Sequence, residues 1–157
     1  MIKSEIRKKI LKIRKKRSSD IFKINFKYLL KILKKAEISN QIIGGYYPYN
    51  YEVDSIPILE EFQRKNFQIS LPKIKKNFQM DFFPWSTKDP LSINGYGIPE
   101  PTTDKVTHPC ILLVPLVAFD KDLNRIGYGG GFYDRYIKKI RKNKKIITIG
   151  LAFSFQE

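Results

Sequence analysis

The sequence is short of most groups that common catalytic and metal sites depend on. It contains one cysteine, Cys110, one histidine, His108, and one tryptophan, Trp85. A lone thiol cannot close an internal disulfide, which agrees with a reducing compartment and points to the cytoplasm. His108 and Cys110 have no partners at metal or nucleophile spacing, so neither is assigned a role. Trp85 fits packing over a loop better than lining a site. Long apolar runs are missing too: none approaches the ~20 residues needed to cross a bilayer. The amino terminus, MIKSEIRKK, is basic but has no apolar segment of the secretory kind. Acidic residues are scarce, 15 Asp and Glu against 30 Lys and Arg, for a net charge of +15. Arginine is scarce as well: beside the lysines stand only Arg7, Arg14, Arg17, Arg64, Arg125, Arg135 and Arg141. Guanidinium forks suited to base edges are therefore few, and the surplus reads as solvated lysine with no dedicated nucleic-acid partner. The same field would draw an anionic small substrate.

What is present suffices for one packed domain. The 157 residues are 42% hydrophobic and 13% aromatic, enough to bury a core and to exclude a wholly disordered chain. Residues 4–17 read as a helix with Ser4 as amino cap, Glu5 in its first turn, and Ile6, Ile10 and Ile13 on one face. A second helix is expected from Ser19 to Lys35, with Asp20 near its start and Ile21, Ile24, Leu29, Ile32 and Leu33 as its apolar stripe. From Gln41 the period changes, and Ile42 to Tyr47 reads as a buried strand ending at Pro48. Ser55 is expected to cap a helix carrying Ile58, Leu59 and Phe62. Phe67 to Leu71 is a strand candidate closed by Pro72, and the alternation of Phe78, Met80 and Phe82 suggests another. Residues 84–109, rich in Pro and Gly, read as a long loop, which in a compact domain is usually functional or flexible. Cys110 to Phe119 is a continuous apolar run, as for a strand covered on both faces. A helix from Phe132 to Lys142 and a strand from Ile146 to Phe153 complete the series. Strands alternating with helices imply an α/β domain: three layers, a mostly parallel sheet, helices on both faces.

Between the long strand and the last helix lies Arg125 to Asp134, RIGYGGGFYD. Glycines let the backbone take positive φ and turn several N–H groups toward one point. The following helix contributes its positive end, which favours phosphate. Arg125 can pair with phosphate oxygens, and Asp134, in the first helical turn, is placed to hold Mg²⁺ against them. Phosphoryl transfer needs such positioning and neutralisation of charge. The loop is no Walker A motif, because no Gly-Lys-Ser/Thr follows, and Phe132 stands at the third glycine position of the dinucleotide fingerprint. Read alone, it supports a phosphate site, with a plain structural turn as the alternative.

LLVPLVAFD followed by RIGYGGGFYDRY resembles the signature of the 5-formyltetrahydrofolate cyclo-ligases, or methenyltetrahydrofolate synthetases. The resemblance extends along nearly the whole chain, as one domain over residues 1–157. Lys3-Ser4-Glu5-Ile6-Arg7 is similar to the family's amino-terminal K-x-x-x-R, and Tyr46-Tyr47-Pro48 with Glu52-Val53-Asp54 to its folate-side segment. Ile98-Pro99-Glu100-Pro101 resembles its IPEP stretch, and Gly150-Leu151-Ala152-Phe153 its penultimate strand. The resemblance implies a monomeric, ATP-driven ligase that closes 5-formyltetrahydrofolate to 5,10-methenyltetrahydrofolate, with no covalent nucleophile. It implies ATP contacts from Lys3, Ser4, Glu5, Ile6 and Arg7, and from Arg125, Ile126, Gly127, Tyr128, Gly129, Gly130, Gly131, Phe132 and Tyr133. Asp134 would hold Mg²⁺, and Tyr47 and Glu52 would contact the folate. An aromatic can pack on a pterin, and a carboxylate can accept from its N–H donors.

Members of the family usually continue through a His-Asp stretch and a closing strand and helix that carry a second acidic group near the metal. The expectation is therefore a C-terminally shortened domain, with an exposed sheet edge after the last strand. Two other classes remain open on sequence alone: an inactive folate- or nucleotide-binding remnant, and a basic RNA-binding module. The latter lacks aromatic-rich RNP motifs and clustered arginines.

Overall fold

The computed structural model describes residues 2–18, 24–35 and 42–157. Helix α1 runs Lys3–Lys16. The Ile2 N–H donates to the Glu5 carboxylate at 3.2 Å. That acid, reaching back from the third helical position, starts the helix one residue before Ser4, which lies in the first turn and caps nothing. Helix α2 runs Phe26–Lys34 and is shorter than its hydrophobic pattern suggests. Asn25 supplies the cap, its side-chain oxygen accepting the Tyr28 N–H at 3.1 Å, so Ile24 stands outside the helix and 37% exposed. Ser19, Asp20 and Ile21 lie outside the described residues. Helix α3, Ile56–Arg64, has Ser55 at its cap position, but the Ser55 hydroxyl donates to the Tyr46 carbonyl. Asp54 takes the capping bond instead, accepting from Ile56 N–H at 3.0 Å.

The main sheet is built of β1 Ile42–Gly44, β2 Gln68–Ile74, β3 Met80–Trp85, β6 Ile111–Pro115 and β9 Ile147–Leu151. Their order is β3-β2-β1-β6-β9. Strands β1, β2, β6 and β9 pair in parallel, and β3 is antiparallel to β2. Pro72 sits inside β2, opposite Phe82, and does not close it. Strand β1 pairs only as far as Ser70, so the missing N–H of Pro72 falls where one neighbour has already ended. Phe78 stays out of β3: it is 63% exposed in the turn before it, with φ of 57°. The span 84–109 is not a bare loop. It contains the end of β3 and a hairpin of β4 Leu91–Ile93 with β5 Pro99–Pro101. The apolar run 110–119 also divides. Past Pro115 the chain leaves the main sheet, and β7 Ala118–Phe119 pairs with β8 Arg125–Ile126 in a separate antiparallel ribbon. Helix α4, Phe132–Arg141, follows.

Side-chain alternation along the strands creates two cores, one on each face. Ile43, Ile69, Leu71, Ile111 and Leu113 meet Leu29 and Leu33 of α2 and Leu59 and Phe62 of α3. Leu112, Val114 and Phe82 point the other way, to Tyr136 and Ile140 of α4. Each such fully buried side chain is worth about 1.5–3 kcal/mol of transfer free energy. Ile10 of α1 packs beside Val117 and Ala118, under the ribbon. Strand β1 connects through α3 to β2 on one side, whereas β6 connects through α4 to β9 on the other. The chain therefore diverges between β1 and β6, and a crevice opens beyond their carboxyl ends, where open α/β sheets bind ligands.

Candidate functional site

That crevice is a cleft of about 480 Å³. The segment after β1 supplies Tyr46, Tyr47, Tyr49 and Glu52, and the segment after β6 supplies Arg125 to Asp134. Helix α1 lays Lys3 and Arg7 along the rim, and the β4–β5 hairpin closes the far side with Asn94, Tyr96, Ile98 and Pro99. The two halves differ chemically, and each follows from local sequence.

On one half, Gly129 has φ of 106° and Gly131 φ of 66°, a backbone that side chains rarely adopt. Gly131 is the residue before α4, and no side chain caps the helix there. The first N–H groups of α4, from Phe132 onward, thus have no intrahelical acceptor, and the residues that carry them line the cleft at the helix's positive end. Arg7 reaches the same loop, its Nε donating to the Gly127 carbonyl at 2.7 Å. Arg135 braces the loop from behind, bonding the carbonyls of Gly130 and Phe78 at 2.6 and 2.7 Å. Arg125 and Asp134 are joined by an ion pair of 2.5 Å, with the Asp134 side chain 73% exposed. Two groups suited to phosphate and cation thus neutralise each other at the wall of the cleft. Among the described residues no three His, Cys, Asp or Glu side chains gather to hold a metal ion. A single carboxylate does suit Mg²⁺, which takes most of its ligands from phosphate oxygens and water.

On the other half, Glu52 closes a turn whose residues Asn50 and Tyr51 both have positive φ, 48° and 58°. The Tyr49 N–H donates to its carboxylate at 2.8 Å. Burial pushes the Glu52 carboxyl from 4.5 up to about 7, against the lowering pull of the Tyr49 N–H and of Arg14. The charge of Glu52, after burial itself, also raises the Tyr128 and Tyr133 hydroxyls. Among the described residues the Tyr133 hydroxyl is buried with no hydrogen-bond partner, in a residue that lines the cleft.

Of the residues singled out in the sequence, Lys3, Arg7, Tyr47, Glu52 and the whole of 125–134 line this cleft. Ser4, Glu5 and Ile6 do not. Ser4 and Glu5 are exposed, Glu5 holding the helix start, and Ile6 packs beside Ile10. Trp85 lies in the α2–α3 core, its Nε1 donating to the Asp89 carbonyl, and Cys110 is buried in that same core. Residue reading along the chain passed over Arg14, which is only 1% exposed and contacts both halves of the cleft. A signal existed: Lys3, Arg7, Ile10 and Arg14 fall on one helical face, and Ile10 marks that face as inward. The hairpin residues Asn94 and Tyr96 carried no comparable signal.

A profile of the 5-formyltetrahydrofolate cyclo-ligase family matches residues 1–157. The chain is 30% identical over 138 residues to the 5-formyltetrahydrofolate cyclo-ligase of Haemophilus influenzae, covering 83% of this chain and 72% of that protein. With the Mycoplasma pneumoniae enzyme of the same name it shares 30% identity over 165 aligned residues, covering 100% of this chain and 88% of the other. Among solved structures, the 5,10-methenyltetrahydrofolate synthetase of Aquifex aeolicus superposes with a TM-score of 0.72 at 29% identity. That match covers 99% of this chain and 80% of the other. The synthetase from Mycoplasma pneumoniae gives a TM-score of 0.67 at 25% identity, covering 99% and 88%.

Proposed function

The chain belongs to the 5-formyltetrahydrofolate cyclo-ligase family, and on that premise we propose that it closes 5-formyltetrahydrofolate to 5,10-methenyltetrahydrofolate at the expense of ATP. The formyl oxygen attacks the γ-phosphorus and ADP leaves. Nitrogen 10 of the folate then adds to the activated carbon and gives up its proton. The carbon–oxygen bond breaks, and the former formyl oxygen departs with inorganic phosphate. The chemistry needs no protein nucleophile; it needs two substrates held in line and the charge on the phosphates neutralised.

One observation carries the reading: a single cleft joins an anion-favouring glycine loop to a half-buried carboxylate in an aromatic wall. In this reading Lys3, Arg7, Arg125 and the first N–H groups of α4 bind the ATP phosphates. Asp134 would hold Mg²⁺, which when bound would help neutralise the phosphate charge. Tyr47 packs on the pterin, and Glu52 accepts from its N–H donors. Ser4, Glu5 and Ile6 support the ATP side only through the helix they build. We propose further that it acts as a monomer in the cytoplasm; no helix among the described residues is long and apolar enough to cross a membrane.

The test is the absorbance of methenyltetrahydrofolate after mixing the protein with 5-formyltetrahydrofolate and MgATP. Product formation that requires both substrates is expected. Absence of product at micromolar enzyme would overturn the assignment, and stabilisation by ADP without turnover would put a binding remnant in its place.

A further inference from the structure

The Arg14 side chain is the largest wholly buried one among the described residues, and it is charged. It forms no ion pair among them; carbonyl oxygens take its charge instead. Its Nη2 donates to the Asn50 carbonyl at 2.6 Å and its Nε to the same oxygen at 3.0 Å. A longer bond of 3.4 Å runs to the Tyr49 carbonyl. Nη1 donates to the Leu116 carbonyl at 3.1 Å, where the chain leaves β6. Nη2 also donates to the Tyr128 hydroxyl, in the glycine loop. One guanidinium thus ties together the positive-φ turn that carries Glu52, the end of the central strand and the loop proposed to bind phosphate.

Arg14 also feels the Glu52 carboxylate, but from beyond ion-pair distance; a buried cation so weakly paired is costly, and an apolar side chain of equal volume is often as good for stability. Its five fixed donors do something an apolar group cannot: they set the separation between two loops that share no secondary structure. We propose that Arg14 is a positioning residue, which holds the folate-side turn 49–52 in register with the glycine loop through Tyr128 and so sets the approach of the formyl oxygen to the γ-phosphate. The inference rests on the function proposed above.

Arg14→Met and Arg14→Lys separate positioning from stability. Methionine fills the space with no donors, and lysine keeps the charge but cannot fork to three carbonyls. With Arg14→Met folded, as judged by melting temperature, kcat should fall about ten- to a hundredfold, the loss expected for hydrogen bonds to a charged group, while KM for MgATP moves less than about threefold. Arg14→Lys should recover only part of kcat. Tyr128→Phe removes the Arg14 link to the loop together with the hydroxyl's own long bond to the Tyr49 carbonyl and its contact with Glu52; it should lower kcat by itself and add little in an Arg14→Met background. If Arg14→Met fails to fold, the lysine and Tyr128→Phe variants carry the test. A folded Arg14→Met or Arg14→Lys protein with parental kcat overturns the positioning role, as do additive effects with Tyr128→Phe. An inactive parent would instead overturn the proposed function itself.

Discussion

Replacing Glu52 by glutamine should stabilise the protein at alkaline pH while crippling its use of folate. The folded protein holds the Glu52 proton up to about pH 7, against 4.5 for an unburied carboxyl. Between those values the folded state binds more protons than the unfolded one, so the contribution of Glu52 to stability falls as pH rises and levels off above 7. At about 1.4 kcal/mol per pH unit, a shift from 4.5 to about 7 makes the ionised carboxylate cost the fold about 3–4 kcal/mol at pH 8. The bonds from Tyr49 and the charge of Arg14 are already counted in that shift. Glu52→Gln has no proton to lose. It should therefore lie within about 1 kcal/mol of the parent near pH 5 and melt roughly 10 °C higher at pH 8, given the entropy of unfolding of a chain this size. Urea or thermal unfolding at pH 5, 6, 7 and 8 measures the difference directly. A stability difference that does not grow with pH would refute the claim that an ionised carboxylate is held there at a cost. The functional counterpart has a definite sign: KM for the folate should fall as pH rises through 7, because the ionised carboxylate is the stronger acceptor. Such a site trades stability for ligand recognition.

The phosphate half yields two further expectations. Arg125→Ala and Asp134→Asn each break an ion pair whose acid is largely solvent-exposed, so each should cost less than about 1 kcal/mol in unfolding experiments. Each should nevertheless raise KM for MgATP or lower kcat about tenfold or more, and parental turnover in either would remove that residue from the site. Gly131→Ala places a side chain at φ of 66° and 2.8 Å from an Arg135 nitrogen. It should cost roughly 1–2 kcal/mol and displace Arg135 from the Gly130 carbonyl. Titration with ADP should then show weaker binding than to the parent; unchanged affinity would mean that the loop backbone does not touch the phosphates.

Much of the fold was legible because its signals are local. The alternation Ile111-Leu112-Leu113-Val114 is buried on both sides, and each parity finds its own helix layer. The glycine loop was visible because positive φ at Gly129 and Gly131 leaves few other residue choices. The misreadings share one cause: an element boundary depends on what lies beside it. Pro72 reads as a terminator, yet it is harmless where β1 has already ended. Phe78 alternates with Met80 and Phe82 but turns outward before the hairpin. The run 110–119 reads as one strand, yet only its first half has a place in the main sheet, and its second half pairs with Arg125–Ile126.

The sequence by itself determined the layered α/β domain, the glycine loop with Arg125 and Asp134, and the resemblance that joins them to Tyr47 and Glu52. Each of these is written in neighbouring residues, through periodicity, backbone freedom or an ordered set of motifs. Tertiary structure alone decided that the segments after β1 and β6 face each other, because strand order is a property of pairing between distant segments. It also decided the ionisation of Glu52, which follows from the atoms that exclude water around it. Arg14 shows the difference most plainly. In sequence it is one more cation on a basic helix; in the fold it is buried among carbonyls from two separate stretches of chain and a hydroxyl from a third. Burial, charge and contact belong to the assembled neighbours, and no window along the chain contains them.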